Sequence, residues 1–138
     1  MFNPRFGHLA FCREDQVFIL FGKGGHSDLA EAKDLDEVFV LDLDSMYLKV
    51  AEVTGLKDWM KGSNFTSIPL SQDLLLVLGF NLRKICIFNA ASQSFMEITS
   101  IGVNPPPRSR YSLTESVDEG KIILVGGTDK NEYYNDVY

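Results

Sequence analysis

A chain of 138 residues with 45% hydrophobic content has the size and apolar content of one soluble globular unit. Its 13 basic and 19 acidic residues give a net charge of −6, which repels phosphate backbones and argues against a nucleic-acid partner. Cys12 and Cys86 lie far apart without metal-like spacing and make no disulfide framework, so a reducing compartment is the simpler expectation.

The opening Met1-Phe2-Asn3-Pro4-Arg5 has no long apolar run, so neither a secretory signal nor a membrane anchor is expected. Strands are predicted at Leu9–Cys12 and Val17–Phe21, then, after an acidic insertion, at Val38–Leu41 and Tyr47–Val53. The stretch from Asp28 to Asp44 holds seven acids against the single base Lys33. Within it Leu29, Ala32 and Leu35 fall near helical spacing, which predicts a short helix in a solvated loop over Asp28 to Glu37. Further strands are predicted at Thr66–Leu70, Leu74–Leu78, Ile85–Phe88, Phe95–Thr99, Ser112–Ser116 and Ile122–Val125, with a last one entering at Val137. These runs are rich in β-branched and aromatic residues and bounded by Gly, Asn, Asp and Pro, which makes the chain all-β. Val17–Phe21 and Leu74–Leu78 are too short to cross a bilayer, so the chain reads as cytoplasmic with no membrane partner.

Strands this short and evenly placed repay a search for self-similarity. His8, Phe65 and Tyr111 each open a strand pair that closes on glycine, at Gly22, Gly79 and Gly126, with offsets of 14, 14 and 15 positions. Leu41-Asp42 and Phe88-Asn89 close a third strand in two of the units, and Leu48 or Phe95 starts a fourth six positions later. The loop after the second strand takes 20 positions from Gly22 to Asp42 but only 10 from Gly79 to Asn89, so one insertion explains the unequal repeats. The units run over about residues 4–60, 61–104 and 105–138, the last one truncated within its third strand.

The residues that recur are Pro4-Arg5-Phe6-Gly7-His8, Gly24-Gly25 and Asp36-Glu37-Val38-Phe39-Val40-Leu41-Asp42. The third unit repeats them as Pro107-Arg108-Ser109-Arg110-Tyr111, Ile122-Ile123-Leu124-Val125-Gly126-Gly127 and Tyr134-Asn135-Asp136-Val137-Tyr138. This pattern resembles the Kelch repeat. The middle unit departs from it, with Phe80 after Gly79, no Pro-Arg before Phe65, and Phe95 where the family usually has Trp. The resemblance implies an incomplete Kelch-type β-propeller of four-stranded antiparallel blades, about two and a half of them.

A propeller of this kind presents the loops between strands two and three, and those between blades, on one face. The resemblance therefore implies a non-catalytic interaction module of a larger protein, binding a protein or peptide partner through that face. Arg110, Asp28, Glu31, Asp34, Asp129 and Tyr133 are the candidate contacts; Arg110 aligns with Gly7 and is specific to its unit. Arg5 and Arg108 recur, which points to a role in the repeat, as it does for His8, Gly22, Gly79, Gly126 and Gly127. Two histidines, two cysteines and no recognisable nucleophile or phosphate loop make a poor catalytic inventory. The copper oxidases related to the family need His and Tyr ligands with a modified Cys, which these two histidines do not suggest, so no cofactor is expected. The alternative is the propeller portion of an enzyme whose catalytic part lies elsewhere. Open blade edges also offer a route to self-association.

Overall fold

A computed structural model describes residues 4–25, 32–116 and 119–138, and these residues form β-strands joined by turns. The chain starts with β1 (Arg5–Phe6), makes the hairpin β2 (Leu9–Arg13) and β3 (Gln16–Leu20), and passes through the short β4 (Lys23–Gly24) and β5 (Lys33–Asp34). It returns as β6 (Val38–Asp42) and β7 (Tyr47–Val50). Next come β8 (Thr66–Pro69), β9 (Leu74–Leu78), β10 (Lys84–Asn89) and β11 (Ser94–Thr99), followed by β12 (Ser112–Ser116), β13 (Lys121–Thr128) and β14 (Tyr133–Val137).

Strands β2-β3-β6-β7 and β8-β9-β10-β11 are two four-stranded antiparallel meanders, and β12-β13-β14 is a three-stranded one. The predicted strands are present, with Tyr47–Val53 ending at Val50 and Ile122–Val125 extending to Thr128, but the last, expected to enter at Val137, instead spans Tyr133–Val137 and ends there. A small sheet, β1-β4-β5, was not foreseen. It takes up Lys33 and Asp34, which the spacing assigned to a helix: their backbones pair instead with Gly24 and Lys23. The predicted helix is thereby corrected at these two residues, and its part over 28–31 lies outside the described residues. Hydrophobic spacing alone could not distinguish the two, because a two-residue strand has no period to read.

The sheets stack face to face, and strand alternation decides what each face buries. Phe11, Phe18, Leu20, Val38 and Val40 of the first sheet meet Leu75, Val77, Cys86, Phe88 and Phe95 of the middle sheet. Phe18 and Phe88 pack edge to face at 5.3 Å, and Phe88 lies 4.8 Å from Phe95. The alternate residues Leu76 and Leu78, with Ile85 and Ile87, turn to the third sheet and pack on Leu124, Leu113 and Ile122. The middle sheet is thus covered on both faces, which is why β9 reads as an unbroken apolar run. Each fully buried aliphatic or aromatic side chain here stabilises by about 1.5–3 kcal/mol.

The stack is tied at one end by Arg13 of β2, which donates to Asp73 in the turn between β8 and β9. Asp42 and Asn89 close the turns after β6 and β10 in the same way: their side-chain oxygens accept the amides of Ser45 at 2.8 Å and Ser92 at 3.0 Å. At the other end the sheets are stitched by backbone bonds, Gly22 N–H to Gly62 O at 2.7 Å and Arg108 N–H to Phe80 O at 3.0 Å.

Candidate functional site

The end of the stack carrying these stitches gathers the segments before each first strand and after each second strand. The pairings Leu9 with Leu20, Thr66 with Leu78 and Ser112 with Val125 make His8, Phe65 and Tyr111 equivalent. They also make Gly22 equivalent to Phe80 and Gly127, one position away from the alignment of Gly22 with Gly79 and Gly126. Backbone geometry agrees, since Phe21 and Gly126 have φ of 60° and 65°, and Gly22 and Gly127 have 105° and 107°. A Cβ on Gly22 would lie 3.0 Å from Phe6 O and 3.2 Å from the His8 Cβ; one on Gly127 would lie 2.9 Å from Ser109 O and 3.1 Å from the Tyr111 Cβ. Glycine is needed there for both the backbone conformation and the close approach. The one-residue slip arose because Phe21 adopts a left-handed conformation that sequence assigns to glycine.

Arg5 and Arg108 hold equivalent places in this arrangement. Arg5 is 1% exposed in its side chain; it donates to Phe21 O at 3.0 Å and to the Glu37 carboxylate at 3.2 Å, and lies 4.5 Å from the Phe39 ring centre. Arg108, fully buried, donates to Gly126 O at 3.0 Å and grips both carboxylate oxygens of Asp136. Its guanidinium lies 3.9 Å from the Tyr134 ring and 5.4 Å from that of Tyr138. The paired guanidinium holds the Asp136 carboxyl below its ordinary pKa. A planar fork that bonds a carboxylate, bonds a strand-end carbonyl and stacks on an aromatic is geometry lysine cannot reproduce.

His8 departs from its equivalents. Tyr111 is buried, donates to Gly79 O at 3.0 Å, and burial pushes its phenol up to about 12. Phe65 packs on Phe21 at 5.1 Å. His8 is exposed.

Three of the candidate contacts converge. Arg110, Asp129 and Tyr133 line one groove of ≈ 360 Å³ with Asn64, Phe80, Ser109, Thr128 and Lys130. Tyr133 is 93% exposed and Phe80 44% exposed, so two aromatic rings stand at its margins. Arg110 has φ of 57°, matching 63° at Gly7 and 74° at Asn64, so each first strand is preceded by a left-handed residue. A non-glycine residue held so costs on the order of 1 kcal/mol. Arg110 is exposed and makes no ion pair among the described residues.

Asp129 plays a different part within the groove. One carboxylate oxygen accepts the amides of Asn131 at 2.7 Å and Glu132 at 2.8 Å, and the other accepts the Tyr134 hydroxyl at 2.9 Å. These bonds, with the Tyr134 bond third in weight, hold its carboxyl below the usual range. Its oxygens are engaged in shaping the loop that carries Lys130 and Tyr133. Asp34 lies apart from the groove, on β5, paired with Lys23 at 3.4 Å and set against the backbone of Gly62. Asp28 and Glu31 lie outside the described residues. Phe80 and Asn64 were missed by sequence reasoning. A large aromatic in a repeat position filled elsewhere by glycine was the available signal for Phe80.

A second depression of ≈ 270 Å³ adjoins the groove across Phe80 and is lined by Trp59, Lys61, Ser63, Phe65, Gly79, Asn81 and Lys84 as well. Lys61 reaches Asp36 at 3.3 Å and Asp58 at 3.4 Å. Among the described residues no group of three or more His, Cys, Asp or Glu side chains is placed to hold a metal ion.

Comparison with known proteins finds no family model that matches the chain. The chain is 25% identical, over 143 aligned positions and 99% of its length, to tip elongation aberrant protein 1 of Schizosaccharomyces pombe. It spans 12% of the length of that protein.

Proposed function

We propose that this chain is a Kelch-type β-propeller segment that acts without catalysis and binds a segment of a protein partner in the groove around Phe80, Arg110 and Tyr133. Successive four-stranded meanders stacked face to face, with the same arginine–carboxylate grip in two of the three units, support the propeller reading. Similarity along nearly the whole chain to a far longer protein, named for aberrant tip elongation, accords with an interaction module.

The observation that carries the binding site is Arg110. The repeat position it fills tolerates glycine or asparagine, yet a long cation is held there in a left-handed backbone, exposed and without an ionic partner among the described residues, beside two exposed aromatics. Strained residues persist where surrounding structure enforces them and are enriched at ligand-contacting sites. Aromatic and arginine side chains are also those enriched at interface centres.

A photo-crosslinking amino acid placed at Tyr133, and in a second variant at exposed Met46 in the turn after β6, tests this. A partner captured at position 133, absent at position 46 and lost when Arg110→Glu is added, is the expected result. Equal capture at both positions, or capture indifferent to Arg110→Glu in a protein with unchanged circular dichroism, sinks the reading.

A further inference from the structure

The middle unit lacks the arginine grip, and the lack is complete. Gly62 stands where Arg5 and Arg108 stand, three residues before the strand-start aromatic. Ile85 pairs with Leu78 as Val38 pairs with Leu20 and Val137 with Val125, so Lys84 stands where Glu37 and Asp136 stand. Phe80 replaces the glycine. The guanidinium, its carboxylate and the glycine are all exchanged, and the side chain that filled the space in the flanking units is gone.

What remains is the ≈ 270 Å³ depression beside the groove. Its polarity is the reverse of the flanking grips, since an amine occupies the place of the acid and no carboxylate lines it. Lys84 is exposed and makes no ion pair among the described residues. Lys61 also reaches it but shares its charge with Asp36 and Asp58, so Lys84 supplies the uncompensated cation. The buried indole N–H of Trp59 has no hydrogen-bond partner among the described residues. Ser63 and Asn81 add neutral donors.

We infer that this vacated grip is a receptor for a carboxylate side chain of the bound protein segment, which enters between Lys84 and Lys61 over the rings of Trp59 and Phe80. The inference rests on this face being the protein-binding face. A guanidinium is what the equivalent spaces hold elsewhere in the fold; with the acid exchanged for lysine, the same space repels a cation and attracts an anion. The depression adjoins the groove across Phe80, so one extended segment can place a side chain in it while crossing Arg110 and Tyr133.

The single tryptophan of the chain lines the depression, so its emission reports occupancy directly. The 138-residue protein is titrated with a blocked oligoglutamate peptide, with the oligoglutamine counterpart and with inorganic phosphate. Expected is a saturable change with oligoglutamate alone, weakened at least about tenfold by Lys84→Glu and by raising salt to about 0.5 M, and retained by Lys84→Arg. Lys84 is exposed, so these variants keep the fold, which circular dichroism checks. An equal response to oligoglutamine, an equal response to phosphate, or indifference to Lys84→Glu overturns the inference. If the peptide gives no response while crosslinking at position 133 still depends on Arg110, the carboxylate receptor fails and the binding face stands. Loss of both defeats both.

Discussion

The flanking sheets and the middle sheet solve the same problem differently. In the first and third, a buried guanidinium pins the start of the first strand to the end of the second and to an acid, Glu37 just before β6 or Asp136 within β14. The middle sheet has Gly62, Phe80 and Lys84 at those places and no pin, yet it is the one with apolar cover on both faces. A sheet buried on two sides is held by area, which is non-directional. The arginine tie is directional. Without that tie, the middle unit's equivalent space is an open depression lined by Trp59, Phe80 and Lys84.

The largest effect that would sharpen this contrast is in the apolar middle. Phe88→Ala removes a fully buried ring packed on Phe18 and Phe95, and the urea midpoint should fall by the equivalent of about 3–5 kcal/mol. A loss under about 1 kcal/mol would mean that area does not hold this sheet. Next is Arg108→Met, which leaves the Asp136 carboxylate and Gly126 O without their donor; about 2–3 kcal/mol of destabilisation is expected, discounted because Asp136 is partly exposed. Arg108→Lys should recover little of it, because one ammonium cannot make the forked pair.

Acid sharpens the same point. Because Arg108 depresses the folded-state pKa of Asp136, this stabilisation is present above the unfolded-chain value of ~3.9 and is lost as pH falls through the folded value. Asp129, depressed by the amides of Asn131 and Glu132, adds to the loss in the same direction. Arg108→Met should therefore show a shallower fall in stability below about pH 4 than the parent in acid titrations followed by circular dichroism. A fall of the same steepness would break the link between Arg108 and Asp136. The smallest expected effect has the opposite sign: Arg110→Gly relieves a left-handed backbone and should raise stability by up to about 1 kcal/mol while weakening partner capture at position 133. Destabilisation by this change would show that the Arg110 side chain serves the fold.

The strands and their repetition were legible because each run carries its own alternation and its own bounding turns. The landmarks His8, Phe65 and Tyr111, and the Asp42 and Asn89 turns, kept their sequence alignment in space. The equivalence of the glycines was misread because Phe21 takes a backbone conformation that sequence reserves for glycine. Arg110, Tyr133 and Asp129 line one groove, but Asp129 could not be recognised as a loop-shaping carboxylate without its partners at Asn131, Glu132 and Tyr134.

Sequence by itself determined the local facts: which runs extend, where they turn, and that one unit repeats with a long insertion after its second strand. These follow from side-chain shape and from an alternation of period two, both of which are properties of neighbouring residues. Tertiary structure alone decided that Arg5 meets Glu37 and Arg108 meets Asp136, 32 and 28 positions away, and that Gly62, Phe80 and Lys84 mark the same place left unfilled. Which residues share a space depends on how the strands pair and how the sheets stack, and no local pattern carries that information.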